Sequence, residues 1–169
     1  KIMKSDIGKA VRVLNKGGIV IFPTDTAFGI GCRIDNKKSI GRLFRIRKRP
    51  KNKPTPVLVD SIEMAQKYLL PIIDEEVKNN LMKKYWPGAL TIILNCKTSK
   101  VPNSVRAGKS TIGVRIPNHK MLLDIIRKTG PIIAPSANFA GEETPYLYSD
   151  INKNLASKVD AGNTTINNS

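Results

Sequence analysis

At 169 residues the chain is long enough for one sizeable core, and we expect a single domain over 1–169. Its 40% hydrophobic and 25% charged content is ordinary for a globular protein, but 29 Lys and Arg against 13 Asp and Glu leave a formal charge of +16, which favours nucleic acid, nucleotides or anionic surfaces as partners. Two distant cysteines, Cys32 and Cys96, and a single histidine argue against a disulfide scaffold and a His-based metal site; with no apolar run of membrane-spanning length and no signal-peptide pattern, reduced, buried thiols in a cytoplasmic protein are expected.

Ser5 is placed to cap a first helix with Ile7, Val11 and Leu14 at helical spacing, ended by Gly17-Gly18. Residues 19–22 read as a buried strand, Pro23 closes it, and 24–31 reads as a polar turn. Ile40, Leu43 and Phe44 form one face of a second helix. Its C-terminal end carries Arg42, Arg45, Arg47, Lys48, Arg49, Lys51 and Lys53 with no acid among them. Cations there suit the helix dipole, but seven so close together repel one another unless solvent or a polyanion neutralises them. Pro54 and Pro56 break that helix, and Val57–Val59 reads as a strand. Ser61 caps a helix to about Leu69. Asp74-Glu75-Glu76 opens another, with Val77, Leu81 and Tyr85 inward, and Trp86-Pro87-Gly88 stops it. Strands follow at 90–94 and 111–116, separated by a loop containing Pro102 and Gly108. A helix over 119–128 buries Met121, Leu122, Ile125 and Ile126, with His119 as a surface or capping residue. Ile132–Ala134 is a short strand, and a last helix lies near 149–156. Alternating strands and helices predict an α/β fold with a twisted mixed sheet and crossover helices.

Three polar segments follow a strand or lie on one: Thr24–Thr26, Thr111–Arg115 and Ser136–Asn138. Ligands in open α/β sheets bind at strand ends, so the three are expected around one cleft. Hydroxyls and backbone amides there suit phosphate or carboxylate, and arginine adds a planar, permanent charge. Arg115 sits on an apolar strand and needs an anionic partner, either a protein acid or a ligand. Thr24 and Thr26 equally suit a turn-forming role, and Ser136 and Asn138 a capped loop. No P-loop, dinucleotide fingerprint, C-x-x-C or H-E-x-x-H occurs. With one histidine and no supporting spacing, catalysis by positioning and charge neutralisation is favoured over a protein nucleophile.

Taken in order, Phe22-Pro-Thr-Asp-Thr26 with Phe28-Gly29, Arg47-Lys-Arg-Pro50 with Lys53-Pro54, Trp86-Pro-Gly-Ala-Leu-Thr91, Gly113-Val-Arg-Ile-Pro117, and Ala134-Pro-Ser-Ala-Asn138 with Gly141 resemble the YrdC-like family of L-threonylcarbamoyladenylate synthases. The resemblance spans about residues 17–145 and implies a YrdC-like fold with a basic concave surface. It also implies a reaction: L-threonine, bicarbonate or CO2, and ATP give threonylcarbamoyl-AMP and pyrophosphate. The product serves threonylcarbamoyl modification of the adenosine beside the anticodon in tRNAs reading ANN codons, through separate transferase proteins. By motif, Thr26, Arg115 and Ser136 fall on L-threonine-binding positions. Arg47, Lys48, Arg49, Lys53, Thr111 and Asn138 fall on ATP-binding positions, with Arg49 and Ser136 catalytic. Mg2+ accompanies ATP, no protein metal site is implied, and Asp25 is a candidate to help place the ion.

The sequence departs from the family pattern in places. Arg47 stands where the family has lysine unless Lys48 takes that role, and the two cations differ in geometry. The Thr that shortly follows the S-x-N motif in the family has no clear match here, Tyr146 falling near its place. The family's closing strand is not evident before Ser169, and the chain resembles the short form of the family. Two alternatives remain. One is a non-catalytic member of the fold binding double-stranded RNA, tRNA or ribosomes through its charge. The other is a carbamoyl-transfer domain of the hydrogenase-maturation type, which the absence of accompanying acylphosphatase or zinc-finger-like segments disfavours.

Overall fold

Period-two alternation along the strands decides how the chain is layered. In the structure, a computed structural model describing residues 4–48 and 53–160, helices flank a six-stranded mixed sheet. In chain order the elements are α1 (Lys4–Asn15), β1 (Val20–Phe22), β2 (Gly29–Arg33), α2 (Lys37–Arg47), β3 (Val57–Leu58), α3 (Ile62–Gln66), α4 (Lys83–Tyr85), β4 (Ile92–Asn95), α5 (Asn103–Arg106), β5 (Thr111–Arg115), α6 (Lys120–Thr129), β6 (Ile132–Ile133) and α7 (Lys153–Ala156). The strand order is β1-β2-β6-β3-β5-β4. Only β3 and β5 run parallel; the other neighbours are antiparallel.

Cys32, Ile133, Val57, Val114 and Ile92 are cross-strand partners in turn, so they share one face. That face packs on Ile40, Leu43 and Phe44 of α2 in the larger core. Val20, Phe22, Leu58 and Ile132 point the other way, onto Ala10 and Leu14 of α1 and Leu122, Ile125 and Ile126 of α6. These two helices pack against each other and cover the β1–β6–β3 part of the second face. The same face continues over β5 and β4 as Arg115, Gly113, Thr111 and Ile93. Ile93 there remains 72% exposed. The cleft lies on this uncovered part of the sheet.

Four expectations need correction. The expected turn over 24–31 ends at Phe28, and β2 begins at Gly29 to form a hairpin with β1. Its glycines mask the strand pattern. They are required because Phe22 lies across β2: a Cβ on Gly31 would sit 2.4 Å from the Ile133 carbonyl oxygen and 3.0 Å from the Phe22 ring. Tyr85, expected inward, is 46% exposed, and Met82 is buried instead. The reason is a π-helical stretch, Val77–Met82, before α4; its wider turn brings residues five apart onto one face. The helix from Ser61 ends at Gln66 rather than near Leu69, because Leu69 bridges Cys96 beside β4. The expected loop between β4 and β5 holds the one-turn α5. Both cysteines are unbridged and buried, as expected, and burial pushes the Cys32 thiol up to about 12. No helix among the described residues is long and apolar enough to cross a membrane.

Candidate functional site

The β1–β2 hairpin turn is built by its threonines. Thr24 Oγ1 donates to the Ala27 carbonyl at 2.6 Å and accepts from the Thr26 N–H at 3.0 Å. It also lies 3.1 Å from Thr26 Oγ1, which accepts from Arg115 Nη2 at 3.1 Å. A guanidinium only donates, and the single Thr24 hydroxyl proton goes to Ala27, so the protons run Arg115 to Thr26 to Thr24 to Ala27. The turn-forming role and a substrate-facing role are therefore compatible: Thr24 shapes the turn and Thr26 faces the cleft.

Arg115 ends β5 with its side chain 8% exposed. Its anionic partner is a protein acid: Asp25 Oδ1 lies 2.8 Å from Nη2, and Asp25 Oδ2 accepts from the Asn118 N–H at 3.0 Å. Arg115 Nη1 donates to the Gly88 carbonyl at 2.8 Å, while the Gly88 N–H returns to Ile116. The Trp86-Pro87-Gly88 stop thus does more than end a helix. Trp86 is buried with its indole N–H on the Leu90 carbonyl, and the loop delivers a backbone acceptor to Arg115. Position 88 must be glycine, since a Cβ would stand 2.4 Å from the Tyr85 carbonyl oxygen. Sequence reasoning missed this acceptor and named Asp25 only as a candidate to help place Mg2+; in the structure its carboxylate is engaged by Arg115 and Asn118. The signal was present, because a cation on an apolar strand demands a nearby acid.

Beyond β6 the chain continues alongside β2. Ser136 bridges Gly29, and the Ala137 N–H donates to the Phe28 carbonyl. Ser136 Oγ donates to Asn138 Oδ1, and Asn138 Nδ2 reaches the carbonyls of Phe139 at 3.1 Å and Glu142 at 2.9 Å. Thr26, Arg115 and Ser136 line one cavity of about 210 Å3 with Pro56, Leu58 and Thr91. A second cavity of about 330 Å3 shares Pro56 and Thr91 and adds Thr55, Ile93, Lys109 and Thr111. The two adjoin at Pro56 and Thr91, the second lying over the uncovered β5–β4 face.

The other candidates approach from α2. Arg47 is buried, and its Nε donates to the Asn138 carbonyl at 3.0 Å while its own carbonyl accepts from Ala140. In this arrangement Arg47 holds the Ser136–Asn138 loop. Lys48 is exposed, with Nζ 5.0 Å from the Phe139 ring centroid, and Lys53 is exposed beyond the break. Arg49 lies outside the described residues. His119 caps α6, its Nδ1 accepting from the Leu122 N–H. Among the described residues, no group of three or more His, Cys, Asp or Glu is placed to hold a metal ion.

The Sua5_yciO_yrdC family model, described as telomere recombination, matches residues 12–166. The threonylcarbamoyl-AMP synthase of Bacillus subtilis is 35% identical over 165 residues, covering 95% of this chain and 47% of its own length. That of Aliivibrio fischeri is 36% identical over 143 residues, covering 82% of this chain and 75% of its own. The crystal structure of P. abyssi Sua5 complexed with L-threonine superposes with a TM-score of 0.88 at 30% identity, covering 95% of this chain and 46% of that one. The chain therefore spans about half the length of its Bacillus and Pyrococcus relatives. The span matched by the family model takes in the hairpin, β5 and the Ser136 loop that build the cleft, and the chain belongs to the Sua5/YciO/YrdC family.

Proposed function

We propose that this chain is a threonylcarbamoyl-AMP synthase, joining L-threonine, CO2 or bicarbonate, and ATP with release of pyrophosphate. Arg115 carries the assignment. It is a buried, pre-oriented cation in the wall of the smaller cavity beside Thr26, with the larger cavity adjoining at Pro56 and Thr91, which suits a small carboxylate beside a triphosphate. L-threonine occupies the smaller cavity, its carboxylate at Arg115 and its polar groups toward Thr26 and Ser136. ATP occupies the larger cavity, with Thr111 beside it, Asn138 shaping the Ser136 loop, and Lys48, Arg49 and Lys53 drawn to its phosphates. Arg47 acts by holding that loop.

The threonine amine captures CO2 to form an N-carboxylate, whose oxygen attacks the α-phosphorus as the bond to pyrophosphate breaks. Two anions meet in this step, so cationic side chains lower its barrier, and no protein nucleophile is needed. Mg2+ enters as part of the ATP substrate. The product passes to tRNA-modifying transferase proteins in the cytoplasm. A purely RNA-binding role for this +16 chain gives no reason for a cation buried at the cavity wall.

The test is pyrophosphate release from ATP, bicarbonate and Mg2+, with and without L-threonine. Strictly threonine-dependent release is expected. No release, or release indifferent to threonine, from folded protein overturns the assignment.

A further inference from the structure

Two surface features stand outside this chemistry, and they complement each other. The first is a strap after the Ser136 loop. From Thr129 to Asn152 the chain has no Lys or Arg, its longest such stretch, yet it holds Glu142, Glu143 and Asp150. Within it Tyr146, Leu147 and Tyr148 are 68%, 64% and 47% exposed, the one consecutive run among the described exposed large apolar residues. The strap is held in shape. Pro145 is buried, and its carbonyl accepts from the Phe28 N–H at 2.9 Å. Asp150 accepts from the Leu147 N–H, Tyr148 meets the Phe28 ring edge-on at 6.2 Å, and Ile151 is buried. A pre-shaped, aromatic, acid-rimmed projection fits a protein interface, and its negative charge disfavours RNA.

The second feature is a groove of about 530 Å3 between α2 and α5. Its apolar part comes from Gly41, Phe44 and Ala107, and Arg45 and Lys48 stand exposed in its wall with no acid among the described lining residues. Arg45 belongs to the basic run, and the proposed reaction gives it no task. The groove is apolar and basic; the strap is apolar and acidic.

We propose that the strap of one copy seats in the α2–α5 groove of a second copy, with Leu147 and its flanking tyrosines on the apolar floor and Glu142 and Glu143 toward Arg45. The overall positive charge opposes any self-association. At physiological salt, however, the Debye length is about 8 Å, so distant like charges are screened while contact pairs across the groove are not. Knob and socket are built from different residues of one chain, so the contact is heterologous and closes into a ring, such as a reciprocal dimer, or propagates.

Sedimentation equilibrium of the full chain at about 0.15 M salt tests this. Mass should rise with concentration above the 18.6 kDa monomer. Leu147→Glu and Arg45→Glu should each weaken association about 30-fold or more, as loss of a central contact does, while circular dichroism stays native. A decisive test mixes Arg45→Glu protein with Glu142→Arg/Glu143→Arg protein. Each should be weakened alone, but the mixture should associate, because it restores one wild-type strap facing one wild-type groove. A monomer at every concentration overturns the proposal. So does association that survives both Leu147→Glu and Arg45→Glu, or a mixture no stronger than its components.

Discussion

Arg115 concentrates the problem of placing a charge inside a protein. Burial of a guanidinium is tolerated here because Asp25, the Gly88 carbonyl and Thr26 all accept from it. The same contacts hold its fork still, so a substrate carboxylate meets a pre-oriented donor. Arg115→Ala should weaken L-threonine binding about 10- to 100-fold, the range for loss of charge-assisted hydrogen bonds, with a much smaller effect on ATP. Calorimetric titration of each ligand checks the split, and equal losses would mean that the two cavities are not separate subsites. The substitution also leaves Asp25 without its cation and should lower stability by about 3 kcal/mol, read by urea unfolding. Arg115 was legible in the sequence as a cation that needs a partner; Asp25 as that partner was not, because the two are 90 positions apart and only the hairpin fold brings them together.

Elements contribute by where they stop. α6 begins at His119, whose neutral ring nitrogen accepts the Leu122 N–H. Burial lowers the His119 pKa below its ordinary 6.5, outweighing the opposing pull of Asp25. The unfolded chain therefore binds this proton more readily than the folded one. The stabilisation is complete above about pH 6.5 and is lost as pH falls below that value through the lowered folded one. His119→Asn keeps a capping acceptor without the titration, so urea midpoints from about pH 7.5 to 5 should fall less steeply than in the parent chain. An unchanged slope would remove His119 from the acid response. The periodic helices α1, α2 and α6 were readable from sequence because each buries a single stripe against the sheet. β2 was not, because its glycines answer to Phe22 across the hairpin rather than to any local pattern.

Across the whole molecule, closure depends on contacts between chain-distant segments. Asp160 accepts from the Ile19 N–H beside β1 and from Arg42 Nη1 on α2, at 2.8 Å for the latter. Burial alone would raise its pKa, but these donors more than offset it and the net shift is downward. Its contribution is thus present above the ordinary carboxylate value of 3.8 and lost as pH falls through the lowered one. Asp160→Asn should lower the unfolding free energy by about 1 kcal/mol near neutral pH, since the half-buried ion pair with Arg42 is largely screened by solvent and the Ile19 N–H bond weakens on losing the charge. Unfolding curves at pH 7 that superpose on those of the parent chain would show that this closure is not stabilising.

Composition and local pattern were enough to determine an α/β chain, its three main helices, its basic character and the polar segments that meet at the cleft. Hydrophobic period, caps and charge are local quantities, so a linear reading recovers them. The strand order, the uncovered β5–β4 face and the relation of the two cavities belong to the tertiary structure. They depend on which face α1 and α6 cover, and on cross-strand partners far apart in the chain. The basic run was visible as charge, but its division was not. Packing places Arg47 in the interior behind the Ser136 loop and Arg42 against Asp160, and it leaves Arg45 and Lys48 facing an open groove. Neighbouring cations with one chemistry acquire different roles because successive helical positions face different surroundings.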